Sequence, residues 1–221
     1  MKRNLIIGSL VLTGILIITT FGCRVKDKGG NDGKTNITND QMWMAGNLNV
    51  TAFRNGDPIP EAKTDEEWEK AGKEGKPAWC NFANDTASGN KYGKLYNWYA
   101  VSDSRGLAPA GWHVPTDVEW KKYTDFLGGA EVAGTKMKSK EGWFRNGSGT
   151  NETGFSALPG GSRSGTGAFS ESGGSAIGCW WSSTETYTNY AWNRYMSYNV
   201  GYVYKDYYHK ELGFSVRCLR D

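Results

Sequence analysis

Two segments of the chain combine a helix start signal with apolar positions spaced for one helix face. In "TDEEWEKAGK" and "TDVEWKKYTDFLGG", Thr64 and Thr116 each stand three residues before a glutamate, which is the capping-box pattern. Gly128-Gly129 ends the second helix, and "AEVAGTKMKS" indicates a weaker third one. The second helix is predicted to bury one apolar stripe. That stripe consists of Val118, Trp120, Tyr123, Phe126 and Leu127.

After Cys179 the hydrophobic period changes to two. Trp192 and Met196 occupy even-numbered positions, whereas Asn193, Tyr195 and Ser197 occupy odd-numbered ones, so in a strand the two groups would point to opposite faces. This alternation predicts a hairpin with one face toward the core and one toward solvent.

A turn is expected at residues 199–201, after which Val203 alternates with Tyr202 and Tyr204. Phe214, Val216 and Cys218 predict a final strand. Residues 141–178 are rich in Gly and Ser, so we expect loops there around short strands such as 155–158. Helices in the middle and strands at the end predict the α+β class.

The composition fits a loop-rich fold that contains strands. The 221 residues include 30 glycines and 10 tryptophans, with 38% hydrophobic positions. The net charge of +3 is spread over 26 basic and 23 acidic residues. Without a clustered basic face, no nucleic-acid partner is expected.

The N-terminus has the pattern of an export signal. Lys2 and Arg3 precede the apolar run "LIIGSLVLTGILIITTFG" and then Cys23. The run is also marginally long enough for an uncleaved anchor. Because Gly22-Cys23 resembles the lipobox of bacterial lipoproteins, we predict a signal peptide over 1–22 and lipidation of Cys23. A polar tether over 23–40 would then hold a domain of residues 41–221 at the cell envelope, on the outer membrane or cell surface.

Export would place the other cysteines in an oxidising compartment. Cys80, Cys179 and Cys218 allow three pairings and at most one intramolecular disulfide. We expect Cys179–Cys218, because these two flank the tyrosine-rich segment. No cysteine pair has metal-site spacing, and no metal or other cofactor is expected.

The segment 186–212 gathers most of the tyrosines of the chain. Eight of the twelve lie between Tyr187 and Tyr208. Tyrosine with Asn and Ser is the composition of antibody paratopes, although such rings also form ordinary cross-strand pairs within sheets. We predict that the segment is a ligand-binding surface. Its outward residues would be Tyr187, Asn189, Tyr190, Asn193, Tyr195, Ser197, Asn199, Tyr202, Tyr204, Asp206, Tyr207, Tyr208 and His209.

Several sequence blocks resemble one bacterial family. They are "QMWMAGNLNVTAFRNGDPIP", "YGKLYNWYAV", "GWHVPTDVEWKKYTDFLGG", "NETGFSALPGG", "WWSSTE" and "GFSVRCLRD". In this order they resemble the Fibrobacter succinogenes major paralogous domain, a surface module. The resemblance implies a C-type-lectin-like fold related to the formylglycine-generating enzymes. The Glu-Pro-Asn and Trp-Asn-Asp triplets of calcium-dependent lectins are absent, so the fold does not imply calcium-dependent sugar binding. Two departures from the family, Ala108-Pro109 in place of Cys-Pro and Cys179 in place of Tyr or Phe, put a family disulfide in doubt.

Domains of this type are frequent targets of diversity-generating retroelements, which mutate adenines in asparagine codons. Such mutation can produce Tyr, Asp, His, Ser or Thr, but it cannot produce Lys, Glu, Met or Trp. All the outward residues named above are reachable in this way. The unreachable residues, which are expected to be framework, are Trp192, Met196, Lys205 and Lys210. Tyr198 is reachable but shares the inward parity.

The sequence offers little support for catalysis. His113 lies in the "GWHVP" block, His209 has no polarising neighbour in sequence, and no "GxSxG" elbow is present. Trp180, Trp181 and Trp192 could stack on a ligand, but they are expected in the core. We therefore expect not an enzyme but a surface domain that binds a protein or a glycan. The alternative is a carbohydrate-binding module that works beside polysaccharide-degrading enzymes.

Overall fold

The computed structural model of the chain describes residues 40–170 and 175–221, together with the backbone of 35–38. The predicted signal peptide and Cys23 lie outside these residues. No helix in the described ranges has the length and apolar content needed to cross a membrane. The helices are α1 (Asp65–Lys73), α2 (Thr86–Tyr92), α3 (Trp98–Val101), α4 (Asp117–Phe126) and α5 (Ala130–Met137).

The strands of the described residues are short, apart from those near the C-terminus. They are β1 (Thr35–Thr38), β2 (Gln41–Met44), β3 (Trp79–Cys80), β4 (Leu95–Tyr96), β5 (Trp112–His113), β6 (Ile177–Tyr187), β7 (Tyr190–Ser197), β8 (Tyr204–His209) and β9 (Leu219–Arg220). The strands form antiparallel sheets in the orders β1-β2-β9-β5, β3-β4 and β6-β7-β8. Short helices with antiparallel sheets confirm the α+β class.

Both predicted capping boxes are present. Thr64 Oγ1 accepts the N–H of Glu67, and Thr116 Oγ1 accepts the N–H of Glu119, with the glutamate carboxylates bonded back to the cap. Helix α4 ends at Phe126, and the predicted glycine pair follows its C-cap residue Leu127.

The predicted stripe on α4 is only partly correct. Trp120, Tyr123 and Leu127 are buried, but Val118 is 74% and Phe126 51% exposed. Position 118 is two residues, or about 200° of helical rotation, from Trp120, so it lies on the opposite side of the helix.

The first sheet joins the two ends of the described chain. Trp43 in β2 pairs with Leu219 in β9, and β9 also pairs with β5. Strand β1 pairs with β2 along its whole length and lies inside the segment predicted to be a tether. The predicted boundary at 41 lies between these two paired strands.

Apolar clusters cover both faces of the central part of the β6-β7-β8 sheet. Trp181 packs with Ala191 and Phe214 in one cluster, whereas Trp180 packs with Met196 and Phe155 in the other. Trp180 and Trp181 are thus core residues, as predicted, whereas Trp192, also predicted to lie in the core, is partly exposed. Residues 155–158 form no strand and contribute a single bridge, between Lys138 and Ala157.

A buried guanidinium connects four parts of the chain. Arg217 is fully buried and donates to Asn47 Oδ1 from Nε at 3.1 Å and Nη2 at 2.7 Å. Its Nη1 donates to the carbonyl oxygens of Met44 and Phe155. The Nε1 of Trp180 donates to the same Asn47 oxygen at 2.8 Å. Burial lowers the pKa of Arg217 to about 9, which leaves the side chain charged at neutral pH.

The predicted Cys179–Cys218 disulfide is not formed. All three described cysteines are buried free thiols, and burial raises the pKa of Cys179 and of Cys218 to about 12. Trp180 bridges Ser215 in a parallel register. Cys218 therefore lies roughly four residues past the position opposite Cys179, or about 13 Å along an extended chain. A disulfide needs Cα atoms within about 7 Å.

His113 joins β5 to the start of α4 and to Asp221. Its Nδ1 lies 2.7 Å from Asp221 Oδ1, and its Nε2 lies 3.0 Å from Glu119 Oε1. Burial lowers the pKa of His113, but the bonds to both carboxylates outweigh burial, so the net shift is upward from 6.5. These contacts give His113 a structural role.

We expect the Arg217–Asn47 bonds to be strongly coupled. Asn47→Ala removes the acceptor of three buried donors and should cost about 3 kcal/mol of unfolding free energy, as breaking a buried charged network does. In urea unfolding, a cycle of Asn47→Ala, Arg217→Met and the double variant should show about 1–3 kcal/mol of coupling. Arg220→Met, at an exposed arginine nearby, should change stability by under about 0.5 kcal/mol. If the changes in unfolding free energy of the two single variants simply add in the double variant, the shared network is contradicted.

The His113 contacts predict a pH dependence of stability near neutrality. Because the pKa is raised in the folded state, the stabilisation is complete below the unfolded pKa of about 6.5 and is lost as pH rises through the folded pKa. The effect should stay under about 1 kcal/mol, since the side chain is partly exposed. Urea unfolding from pH 5.5 to 8.5 should show the decline in the unaltered protein and a flatter profile for His113→Gln. If stability depends on pH in the same way in both proteins, His113 is not the source of the decline.

Candidate ligand-binding surface

The register of β7 and β8 distributes the tyrosines over two faces of one sheet. Trp192 pairs with Tyr207, and Tyr190 pairs with His209. Tyr195 pairs with Tyr204 in the same ladder, but at the alternate positions. Side chains of directly paired residues share a face, and adjacent residues point to opposite faces.

We name the two surfaces by their leading residue. The Tyr187 face consists of Tyr187, Tyr190, Trp192, Tyr207 and His209. The Tyr195 face consists of Tyr195, Tyr204, Asp206 and Tyr208. The sequence prediction of a single outward face is therefore wrong, because the sheet carries core residues and tyrosines on both sides.

Rings of the Tyr187 face contact one another at steep angles. Tyr187, Tyr190 and Tyr207 have centroids 5.7–6.4 Å apart, with interplanar angles of 77–89°. His209 packs 4.2 Å from Tyr190, and Trp192 lies 5.6 Å from Tyr207. Tyr187 is 63% and Tyr207 43% exposed, so this face is open to solvent.

The Tyr195 face is more closely packed. Tyr195 and Tyr204 stack at 4.6 Å with only 8° between planes, and Tyr202 continues the group at 4.6 Å from Tyr204. Tyr208 packs edge-on against the core ring of Phe214. Partial burial, the largest cause, raises the pKa of Tyr195 and of Tyr208, and the Asp206 carboxylate adds to it.

Asn193 does not belong to the surface. It is fully buried, although it was predicted to point outward. It has the outward parity, but on this face the core continues through its neighbours Trp181 and Ala191. Neither atom of its side-chain amide has a hydrogen-bond partner within the described residues.

The other predicted site residues lie in or beside the turns. Asn189 is exposed in the two-residue connection between β6 and β7. Ser197 Oγ donates to the exposed Asn199 Oδ1 at 2.7 Å in the connection from β7 to β8. Tyr198, predicted to face inward, packs against the cluster that contains Met196.

Two buried lysines fix these turns. Lys138 Nζ donates to the carbonyl oxygens of Ser197 at 3.1 Å and Val200 at 2.9 Å. Lys210 Nζ contacts Thr188 O at 2.7 Å and Glu185 Oε1 at 2.6 Å. Sequence reasoning assigned Lys210 to the framework but missed Lys138. A lone lysine at the end of a short helix carries no sequence signal for such a role.

An ion-pair network fixes the sheet to helix α4. Asp117 lies 2.8 Å from Arg194 Nη2 and 2.9 Å from Lys205 Nζ. Burial alone would raise the pKa of Asp117, but the two cations lower it overall. Lys205 Nζ also lies 3.8 Å from the centroid of Trp192, so it covers that ring. Of the expected framework residues, Met196 and Lys210 are buried, whereas Trp192 is partly and Lys205 largely exposed.

The outer edge of β8 is partly protected. The N–H of Tyr207 donates to Asp206 Oδ1 at 2.8 Å, and the N–H of Leu212 donates to the carbonyl of His209. Charged side chains at a strand edge discourage the pairing of another strand.

The geometry near His113 does not resemble a nucleophile–base pair. A cavity of about 280 Å³ includes Arg54, His113, Thr116 and Ser183 in its lining. Both ring nitrogens of His113 are bonded to carboxylates, so neither is positioned to accept a proton from Ser183. No cluster of three or more His, Cys, Asp or Glu suited to a metal occurs within the described ranges.

Comparison with known proteins identifies the family. The sequence profile of the Fibrobacter succinogenes major domain matches residues 37–220. No curated protein and no solved structure matches the chain at a significant level. The profile match includes every strand from β2 to β9 and thus the whole tyrosine-rich sheet. The chain belongs to the Fibrobacter succinogenes major domain family.

Proposed function

We propose that this domain binds a protein or glycan partner through the tyrosine-rich β6-β7-β8 sheet. In this proposal the chain is exported, acylated at Cys23 and held at the cell envelope as a lipoprotein. The scaffold would be C-type-lectin-like, with the tyrosine-rich sheet presented away from the membrane.

One observation carries the proposal: large rings are exposed on a sheet that other side chains hold in place. Tyr187 and Tyr207 are open to solvent, and none of the hydroxyl groups on either tyrosine face donates a hydrogen bond to a described residue. Unused hydroxyls beside apolar rings suit a partner that supplies both contact area and hydrogen bonds. A sheet held by buried cations would lose little entropy on binding.

We further propose that a retroelement diversifies this sheet. Residues reachable by adenine mutation occupy most exposed positions, including Tyr187, Asn189, Tyr207 and His209. Met196 and Lys210, which such mutation cannot produce, are buried. Sequencing the locus in several isolates should show substitutions concentrated at the exposed positions, and an invariant segment would remove this part of the proposal.

The binding surface can be tested by truncating one ring on each face. Tyr207→Ala and Tyr204→Ala should each weaken binding at least about tenfold for whichever ligand uses that face, as loss of a tyrosine hot spot does. Binding is measured on a glycan array and by capture of envelope proteins, each followed by titration of the purified hit. The carbohydrate-binding-module alternative requires hits among polysaccharides alone.

A matched control is available on helix α4. Phe126 is 51% exposed and belongs to neither tyrosine face, so Phe126→Ala removes an exposed ring without changing a residue of either face. This variant should bind as the unaltered protein does, and all variants should keep their unfolding temperature within a few degrees. If Tyr207→Ala and Tyr204→Ala both bind normally, the sheet is not the site.

A further inference from the structure

Tyr187, Tyr190 and Tyr207 of the Tyr187 face stand close to perpendicular to one another, and we call this group of three rings the corner. Tyr187 and Tyr190 meet at 89°, Tyr187 and Tyr207 at 77°, and Tyr190 and Tyr207 at 85°. Their centroids are 6.4, 5.8 and 5.7 Å apart in the same order. Three perpendicular rings that each face a common point about 4 Å away would have centroids about 6 Å apart. A cation at that point would lie within cation–π range of every ring.

The corner is open to solvent and holds no cation from the described part of the chain. Tyr187 is the most exposed tyrosine of the sheet. Several Lys and Arg side chains of the described residues lie over aromatic rings. None of them lies over Tyr187, Tyr190 or Tyr207. The neighbouring Trp192 is already covered by Lys205, which shows that a ring on this face accommodates an ammonium group.

We propose that the corner formed by Tyr187, Tyr190 and Tyr207 binds a quaternary, methylated ammonium group. The ring faces carry negative electrostatic potential and attract such a cation. This inference rests on the proposed binding role of the sheet and assigns a ligand chemistry to one of its faces.

The surroundings favour a methylated ammonium over a primary one. A primary ammonium has three N–H donors that need acceptors, and the carboxylates on and beside this sheet are engaged elsewhere. Glu185 is paired with Lys210, Asp117 with Arg194 and Lys205, and Asp206 lies on the Tyr195 face. A quaternary ammonium has no N–H to satisfy, so rings alone can replace its water.

Contacts with neighbouring rings keep Tyr190 and Tyr207 in place without a ligand. His209 packs 4.2 Å from the Tyr190 centroid, and Trp192 lies 5.6 Å from the Tyr207 centroid at 88°. Tyr187 and Tyr190 also flank the connection whose carbonyl, at Thr188, accepts a hydrogen bond from Lys210. The walls of the corner are thus supported by the sheet, and binding does not have to assemble them.

The test compares choline with 3,3-dimethyl-1-butanol, which has the same shape but no charge. Titration of the purified domain is followed by NMR shifts of the tyrosine rings. We expect choline to bind at least about tenfold more tightly than the neutral alcohol, because only the cation gains from the ring faces. Equal binding of the two, or no binding of choline at millimolar concentration, would overturn the proposal.

Ring variants localise the effect. Tyr207→Leu should weaken choline binding at least about tenfold, whereas Tyr207→Phe should stay within about threefold, because it keeps the ring. Tyr204→Leu, on the Tyr195 face, is the matched control and should not change it. A loss in the control equal to that in Tyr207→Leu would overturn the assignment to this corner.

Further probes identify where the group comes from. Phosphatidylcholine vesicles present it on a lipid, and a peptide with one trimethyl-lysine presents it on a protein; phosphatidylglycerol vesicles and the unmethylated peptide are the controls. Binding of a methylated probe over its control supports the proposal and names the source. If no quaternary probe binds while glycan or protein capture still depends on Tyr204 or Tyr207, only this inference fails. If that dependence is absent too, the proposed function fails with it.

Discussion

The fold depends on a buried positive charge that no carboxylate neutralises within the described residues. The Arg217 guanidinium is solvated by an asparagine oxygen and two backbone carbonyls, and it lies 4.1 Å from the centroid of the Phe155 ring. Removing a cation from water is costly unless its donors are satisfied. The hydrogen bonds that meet this requirement fix the segment after β2, the loop at Phe155 and strand β6 around the C-terminal segment that carries Arg217.

Buried cations bonded to backbone carbonyls also hold the tyrosine-rich sheet. Lys138 is buried against carbonyls of one turn, and Lys210 is buried against a carbonyl and a carboxylate of the other. Arg194 holds the middle of the sheet to α4 through Asp117. Cations and core tryptophans hold the sheet, and the hydroxyls of the exposed Tyr187 and Tyr207 donate no hydrogen bond to a described residue. Their hydroxyls and ring faces therefore remain available to a partner.

Local patterns in the sequence predicted local structure well. The capping boxes at Thr64 and Thr116 depend on residues three apart, and alternation predicted strands β7 and β8. Predictions that needed long-range register failed. Cys179 and Cys218 were expected to form a disulfide because they flank the segment. The parallel register of Trp180 with Ser215 instead places Cys218 about four residues beyond the position opposite Cys179. Alternation along β7 predicted that Asn193 points to solvent. The packing of Trp181 and Phe214 on the same face buries it, and this packing is not visible in the local sequence.

The division of the tyrosines between two faces limits how a partner can bind. Tyr207 and Tyr208 are neighbours in sequence, but their rings point to opposite sides of β8. A flat ligand cannot contact both, and a strand added at the edge would have to displace Asp206 from the N–H of Tyr207. Under the proposed function the two faces would therefore bind independently, unless one partner wraps around the edge of β8. Substitutions that accumulate along β8 would then change two separate sites, with odd positions altering the open Tyr187 face and even positions altering the closely packed Tyr195 face.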